Sequence, residues 1–356
     1  MRCFCTVATW SHLRMARILA ASLRQAGNLE ILHVLIPDAE KNELPPDEEG
    51  ITYHGLDEVR SGFPELMPYY FDEFEVCNAL KPFLISLLLE KGSDSVIYLD
   101  SDIFAVGSFE TVWSTLVDHA IMLTPHVLKA PALDLRFINE VSLIDQGIYN
   151  GGFSGWSNKP AVFEAIRWMK QRLPVYGFCR RPCGMFVDQK LIPFLPEYFP
   201  DNVMINRNPC LNIAFWNIHE RNVSFDGKSF RCNKSPVIFF HMSGYRRTHP
   251  DQVCCYFSRQ LNEVMHKLAP WFRMVLQKYT TVFDTVPQST KGDYRFRYYQ
   301  GIRLNPDLRW RLYQKKTLSP LEFGVIRSVI VYFLKRCKRN LKKIIYPKIS
   351  DGTRND

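Results

Sequence analysis

No stretch of this chain approaches the roughly 20 consecutive apolar residues that cross a bilayer, so no membrane-spanning helix is expected. The opening segment MRCFCTVATWSHLRMAR has no uninterrupted apolar core, because His12, Arg14 and Arg17 break it early, and a secretory leader is not expected there. Among the ten cysteines there is no Cys-x-x-Cys pair; Cys254 and Cys255 are adjacent and the others are spread along the chain. That spacing supports neither a zinc site nor a dense disulfide framework, and reduced thiols in a cytoplasmic protein are the expectation. Without a secretory route the sequons Asn222-Val-Ser224 and Asn233-Lys-Ser235 are read as chance. Internal repeats and low-complexity tracts are missing too, which excludes repeat arrays and fibrous classes.

Excess charge of one sign is scarce outside a single segment. The 356 residues carry a formal net charge of +9, but the interval from Pro320 to Ile349 holds eight Lys and Arg against Glu322 and supplies +7 of it. A body left at +2 offers no broad footprint for a polyanion, so no nucleic-acid partner is expected. What remains is ordinary globular composition, 46% hydrophobic and 23% charged, in a chain long enough for one elaborate domain or two simpler ones.

Along the first third, strand and helix patterns alternate. CFCTVAT is a β-prone run; HLRMARILAASLRQAG follows, with Leu13, Ala16, Ile18, Leu19, Ala20 and Leu23 on one helical face. ILHVLIP reads as a strand, and CNALKPFLISLLLEKG as a helix ending at Gly92, with Pro82 expected at a first turn or kink. VIYLD, AIMLT and YNGGFSGW read as further strands, PAVFEAIRWMKQRL as a helix, and SPVIFFHMSGY as a late strand running into a loop. Beyond Pro250 the pattern turns helical and more polar. Alternating strands and helices imply an α/β fold, a sheet with helices on its faces whose ligands bind beyond the carboxyl ends of the strands.

At one such end the run VIYLDSDIFAVGS stops in two aspartates, Asp100 and Asp102, separated by Ser101. Carboxylates at i and i+2 after a strand can turn to one side as hard oxygen ligands for Mn²⁺ or Mg²⁺, leaving positions for substrate phosphate. Alone, two solvated acids in a loop would look the same.

The stretch LDSDIFAVG resembles the Asp-x-Asp element of GT-A glycosyltransferases, and later elements follow in the order of the retaining family that includes glycogenin and the bacterial lipooligosaccharide galactosyltransferases. The resemblance covers roughly residues 1–250. YNGGFSG supplies Asn150 and Gly152 for an Asn-x-Gly strand, FVDQKLI supplies Asp188 and Gln189, and HMSGYRR supplies His241 and Gly244 of a His-x-x-Gly-x-x-Lys motif, with Arg247 in the lysine position. The Pro-Trp that usually follows is replaced by Thr248, His249 and Pro250.

The resemblance implies a GT-A, Rossmann-like, mixed and mainly parallel sheet flanked by helices, with a helical C-terminal extension. It implies that Asp100, Asp102 and His241 bind the metal, that Arg247 and Gly244 meet the diphosphate, and that Lys81, Asn150, Gly151 and Gly152 line the donor or acceptor pocket. Gln189 and Asp188 become the catalytic candidates, while the segment from Phe4 to Thr9, including Thr6, together with Asp100, holds the nucleotide. Residue by residue, plainer roles stand beside these. Asp188 could cap a helix over DQKLIPFL, the glycines could relieve crowding in a strand, and Lys81 could decorate a helix end.

The expected organisation is a catalytic domain over 1–250, a helical acceptor-side extension over 251–317 and a basic amphipathic tail over 318–356. In that tail Phe323, Ile326, Ile330, Phe333, Cys337, Leu341 and Ile344 recur at helical spacing, as in a helix lying on an anionic membrane surface. The expected activity is transfer of a sugar, a hexose on UDP, to a glycan or lipid-linked acceptor with retention, by a cytoplasmic enzyme peripheral to the inner membrane face. Haloacid-dehalogenase-type phosphatases also place Asp-x-Asp after a strand, but near the first strand. A non-catalytic sugar-binding or scaffold protein is the third alternative.

Overall fold

A central strand buried on both faces needs helices above and below it, and the chain supplies them in order. The early patterns become β1 (Arg2–Val7), α1 (Leu13–Gln25), β2 (Leu32–Ile36), β3 (Ile51–Gly55), α2 (Met67–Tyr70), α3 (Glu73–Glu90) and β4 (Ser95–Leu99). Then come β5 (Ile103–Ala105), α4 (Glu110–Asp118), β6 (Ile121–Pro125), α5 (Glu140–Gln146), β7 (Tyr149–Ser157) and α6 (Pro160–Tyr176). The computed structural model describes residues 1–288, 292–316 and 318. The expected basic amphipathic helix over 320–349 lies outside the described residues.

The chain divides into two units, Met1–Met67 with Glu73–Arg295, and Pro68–Asp72 with the residues from Phe296 onward. In the larger unit a seven-stranded sheet has the order β10-β6-β7-β4-β1-β2-β3, where β10 is Val203–Ile205. β1 pairs in parallel with β2 and β4, β2 with β3, and β6 with β10, whereas β7 runs antiparallel to both β4 and β6. The sheet is therefore mixed and mainly parallel, as the resemblance implies.

α1 and α4 share one apolar cluster with the sheet through Leu19, Leu23, Val112 and Trp113, and every residue expected on the α1 face is buried. α3 packs on β1, β4 and α6. Its Pro82 stands in mid-helix rather than at a turn, so the helix continues past the one missing amide donor.

Smaller pieces complete this unit. β8 (Cys179–Arg180) and β9 (Met185–Phe186) form a hairpin, and the expected DQKLIPFL helix is replaced by two 3₁₀ turns, Asp188–Lys190 and Ile192–Phe194, before α7 (Leu195–Tyr198). Pro193 and Pro196 lack the amides that an α-helix here would donate to Gln189 and Ile192. β11 (Val223–Phe225), β12 (Phe230–Cys232) and β13 (Ser235–Pro236) make a small antiparallel sheet, β14 (Phe239–His241) pairs with β5, and α8 (Arg259–Leu268) and α9 (Phe272–Thr285) follow. In the smaller unit the N-cap Asn305 accepts from Leu308 N to start α10 (Pro306–Lys315). Buried Arg309 there donates to the carbonyls of Tyr69, Phe71, Phe296 and Leu304.

On β2 and β3, His33 Nδ1 lies 2.9 Å from His54 Nε2. Burial, with His54 and Lys91 adding, pulls His33 down to about 4, and burial also lowers His54 against the pull of Glu58. A folded pKa below the unfolded one means that the unfolded chain binds more protons, so this contribution is complete above about pH 6.5 and is lost as pH falls toward 4. His33→Gln should flatten the decline in unfolding free energy between pH 6.5 and 4 by at most about 3 kcal/mol, measured by denaturant titration of both proteins.

Candidate active site

The apolar residues of β4 end at Leu99 because the next carboxylate, Asp100, emerges at the carboxyl edge of the sheet. β7 is the neighbour on that side and runs the opposite way, with Leu99 opposite Phe153, so its early residues Asn150 to Gly152 lie beside Asp100. Asp100 N donates to Gly152 O at 2.8 Å. The topology thus joins two motifs that are separated in the sequence.

β5 leaves the second aspartate and pairs antiparallel with β14, with Ile103 opposite His241. Met242 N donates to Asp102 O, which fixes the end of that pairing. His241 Nε2 stands 3.0 Å from Asp102 Oδ1 and 4.0 Å from Asp100 Oδ2. One ligand atom from each of the three residues lies within 4.8 Å of the others. The aspartate side chains are 31% exposed while His241 is 4% exposed, so the cluster faces a cleft from a buried histidine.

Two carboxylates and an imidazole form a mixed donor set suited to a divalent first-row ion or Mg²⁺. The histidine is oriented for it: Nδ1 lies 3.1 Å from Asn212 Oδ1, which turns Nε2 toward the carboxylates. A Cβ on Gly152 would clash with His241 Cε1 and stand 2.7 Å from Asp100 Oδ2, so only glycine leaves this space open. Burial favours neutral Asp102 and neutral His241, but their mutual attraction outweighs it, holding the carboxyl below and the imidazole above their ordinary ranges.

Behind the metal-ligand candidates lies a buried cation. Lys81, on α3 and 4% exposed, donates to Gly151 O at 2.8 Å and pairs with Asp188 at 3.1 Å and Asp100 at 3.3 Å. Burial alone would lower its pKa, yet the two carboxylates more than offset that and raise it. Burial, aided by Asp100 and opposed by Lys81, pushes Asp188 up to about 6. Tyr98 donates to Asp100 Oδ1 at 2.8 Å and places its ring 4.8 Å from the Lys81 ammonium. Lys81 is therefore no helix-end decoration, and Asp188, 1% exposed, turns its carboxylate inward to Lys81 rather than capping a helix.

Gln189 lines the cleft with its side chain engaged, Oε1 accepting from Gly151 N at 3.1 Å and Nε2 donating to Gln146 O at 3.1 Å. Asn150 donates to His126 Nε2 at 3.1 Å and accepts from Gly152 N at 3.1 Å. Val187 precedes Asp188 with φ 44°, a left-handed backbone that a β-branched residue rarely adopts. Gly244 has φ 78° and lines the cleft, as does Arg247, whose guanidinium grips Asp284. Thr6 lies inside β1, fully buried, and it is Val7 and Ala8 that line the cleft. The cleft has a volume of about 1020 Å³.

Two residues outside the motifs complete the site. Asn212, fully buried at φ 53°, orients His241 and is itself held by Asn217, which donates to its carbonyl at 2.9 Å. His126 follows β6 directly and is pulled down to about 4 by burial and then by His241, so it is neutral and accepts from Asn150. Its position one residue past a strand was a usable signal; Asn212 has no local one.

No family model matches the chain. Two uncharacterised proteins of Bacillus subtilis (strain 168) are similar to it, each 26% identical. YfnF matches over 216 residues, 58% of this chain and 67% of its own, and YfnD over 281 residues, 74% and 85%. Among solved structures, the galactosyltransferase LgtC in complex with donor and acceptor sugar analogues aligns with a TM-score of 0.45 and 16% identity, over 83% of this chain and 99% of that one. The glycosyltransferase GlyE of Streptococcus pneumoniae TIGR4 aligns at 0.41 and 14%, over 82% and 67%. The bifunctional glycosyltransferase WbbM aligns at 0.45 and 13%, over 78% and 51%.

Lys81→Met leaves the buried carboxylate of Asp188 and the partly exposed one of Asp100 without their cation and should cost about 3 kcal/mol in denaturant unfolding at pH 7. Asn212→Gly tolerates the positive φ but frees the His241 ring, and should weaken Mn²⁺ binding by about 10- to 100-fold in a calorimetric titration.

Proposed function

We propose that this protein is a metal-dependent glycosyltransferase that moves a sugar from a nucleotide-sugar donor, a UDP-hexose, to an acceptor hydroxyl with retention of configuration. The observation that carries the reading is the convergence of Asp100, Asp102 and His241 at the carboxyl edge of the sheet, inside a cleft large enough for a nucleotide sugar. Those three residues would hold Mn²⁺ or Mg²⁺. When bound, that ion neutralises charge on a departing nucleoside diphosphate.

The remaining roles belong to the chain itself. Lys81 fixes Asp100 and Asp188 in place and sets a positive charge beneath the site. Gly151 and Gly152 keep the β7 backbone bare of side chains, so a sugar ring can approach it closely. Gln189, anchored at both ends of its amide and lining the cleft, faces the reacting sugar, and buried neutral His126 fixes the Asn150 amide beside it. Val7 at the end of β1 and Ala8, Ser11 and His12 just after it form the wall that takes the nucleoside.

The acceptor in this reading is a glycan or a lipid-linked glycan, with the basic 318–356 segment meeting an anionic membrane surface. No helix of the described residues is long and apolar enough to cross a membrane.

The test is turnover of nucleotide sugars with Mn²⁺, followed as release of nucleoside diphosphate. Wild-type protein should release UDP from a UDP-hexose and lose that activity to a chelator. Asp102→Asn should reduce it by at least about 100-fold while shifting thermal unfolding little. Undiminished turnover in the variant, or release of inorganic phosphate from a monoester instead, would refute the assignment.

A further inference from the structure

The cleft is lined by five Lys and Arg side chains, Arg14, Lys81, Arg181, Arg246 and Arg247. Four of them are committed. Lys81 is locked between Asp100 and Asp188. Arg14 donates to the carbonyls of Val286 and Phe283 and lies 4.1 Å from the Phe283 ring. Arg181 pairs with Asp145 at 2.8 Å and covers the Phe186 ring. Arg247 closes its fork on one carboxylate, Nε to Asp284 Oδ1 at 2.8 Å and Nη2 to Oδ2 at 2.9 Å. Among the described residues, Arg246 has no side-chain hydrogen bond, ion pair or ring contact.

We infer that Arg246 is the side chain that receives the diphosphate of the donor, and that Arg247 is withheld from it by Asp284. The inference rests on the nucleotide-sugar reading of the same cleft, and it moves the phosphate role one residue from where the sequence motif points. A guanidinium binds a diphosphate best with its donors open in one plane, and only Arg246 offers that without first breaking an existing pair.

The backbone beneath Arg246 is fixed. The turn leaves the metal-ligand candidate His241, Met242 N donates to Asp102 O, and Tyr245 N donates to Met242 O. Gly244 supplies φ 78° in a space where a Cβ would stand 2.6 Å from Cys254 Sγ. Tyr245 is pinned to α9 by its hydroxyl, 2.8 Å from Thr280 Oγ1, and by edge-on contact with Tyr279. His249 N donates to the Arg246 carbonyl at 2.9 Å. Arg246 is thus an uncommitted side chain on a hydrogen-bonded turn that starts at the candidate metal centre, where a metal-bound diphosphate would lie. Asp284 adds negative charge at the same rim, which opposes the ligand while it occupies Arg247.

The experiment is calorimetric titration of the full chain with UDP and with uridine in MnCl₂, for wild type, Arg246→Ala, Arg247→Ala, Asp284→Asn and the double variant Arg246→Ala/Asp284→Asn. Arg246→Ala should weaken UDP binding about tenfold or more and leave uridine unchanged. Arg247→Ala should change UDP binding less than threefold. Asp284→Asn should bind UDP as tightly as wild type or tighter, and the double variant should regain affinity because Arg247 is released. Equal UDP binding by wild type and Arg246→Ala, or a larger loss in Arg247→Ala, overturns this inference alone. Failure of wild type to bind UDP at all overturns the parent reading.

Discussion

A three-residue antiparallel pairing, β5 with β14, is the contact on which the site depends. Without it Asp102 would be one more acid in a loop and His241 the last residue of a strand that ends elsewhere. The pairing sets His241 Nε2 3.0 Å from Asp102, and Asn212 holds the ring so that this nitrogen faces the carboxylates. The reversed strand β7 then closes the other side, its Gly152 leaving room where any side chain would collide with the histidine and Asp100.

Electrostatic balance follows from that placement. Three acids, Asp100, Asp102 and Asp188, gather at one edge of the sheet, and their repulsion is relieved by two cationic partners: Lys81 for Asp100 and Asp188, His241 for Asp102. Both partners are buried, so removing either exposes the full cost of the carboxylates it serves. A divalent ion at the same point would relieve the charge further. The pairs at the rim, Arg181 with Asp145 and Arg247 with Asp284, are about half exposed and contribute less to stability than the buried ones.

Much of this was legible in the sequence. VIYLD followed by a second aspartate marks a strand edge, YNGG marks a backbone bared for close approach, and SPVIFFH ends a strand in a histidine; the structure brings these three together. The fold class followed from alternating patterns, and the α1 face was readable residue by residue. Other features depended on tertiary context. ITYHG, which becomes β3, is too short to stand out from a loop. Pro82 reads locally as a break, but α3 is held by packing on β1, β4 and α6. Asp188 has the local signature of a cap, yet Pro193 and Pro196 remove the helix and Lys81 claims the carboxylate. Arg247 matches a motif position, while its partner Asp284 comes from a distant helix. Asn212 acts through contacts that no local pattern encodes, while His126 is marked only by its place just past β6.

The central claim is that Asp100, Asp102 and His241 converge to grip a cation that in turn holds a pyrophosphate. Crystals of the protein grown with Mn²⁺ and UDP and measured at the manganese absorption edge test it most directly. The account predicts one anomalous peak within coordination distance of both aspartates and of His241 Nε2, with diphosphate oxygens on its open side. A peak bound elsewhere, or nucleotide seated in the cleft with no ion among these three residues, would contradict it.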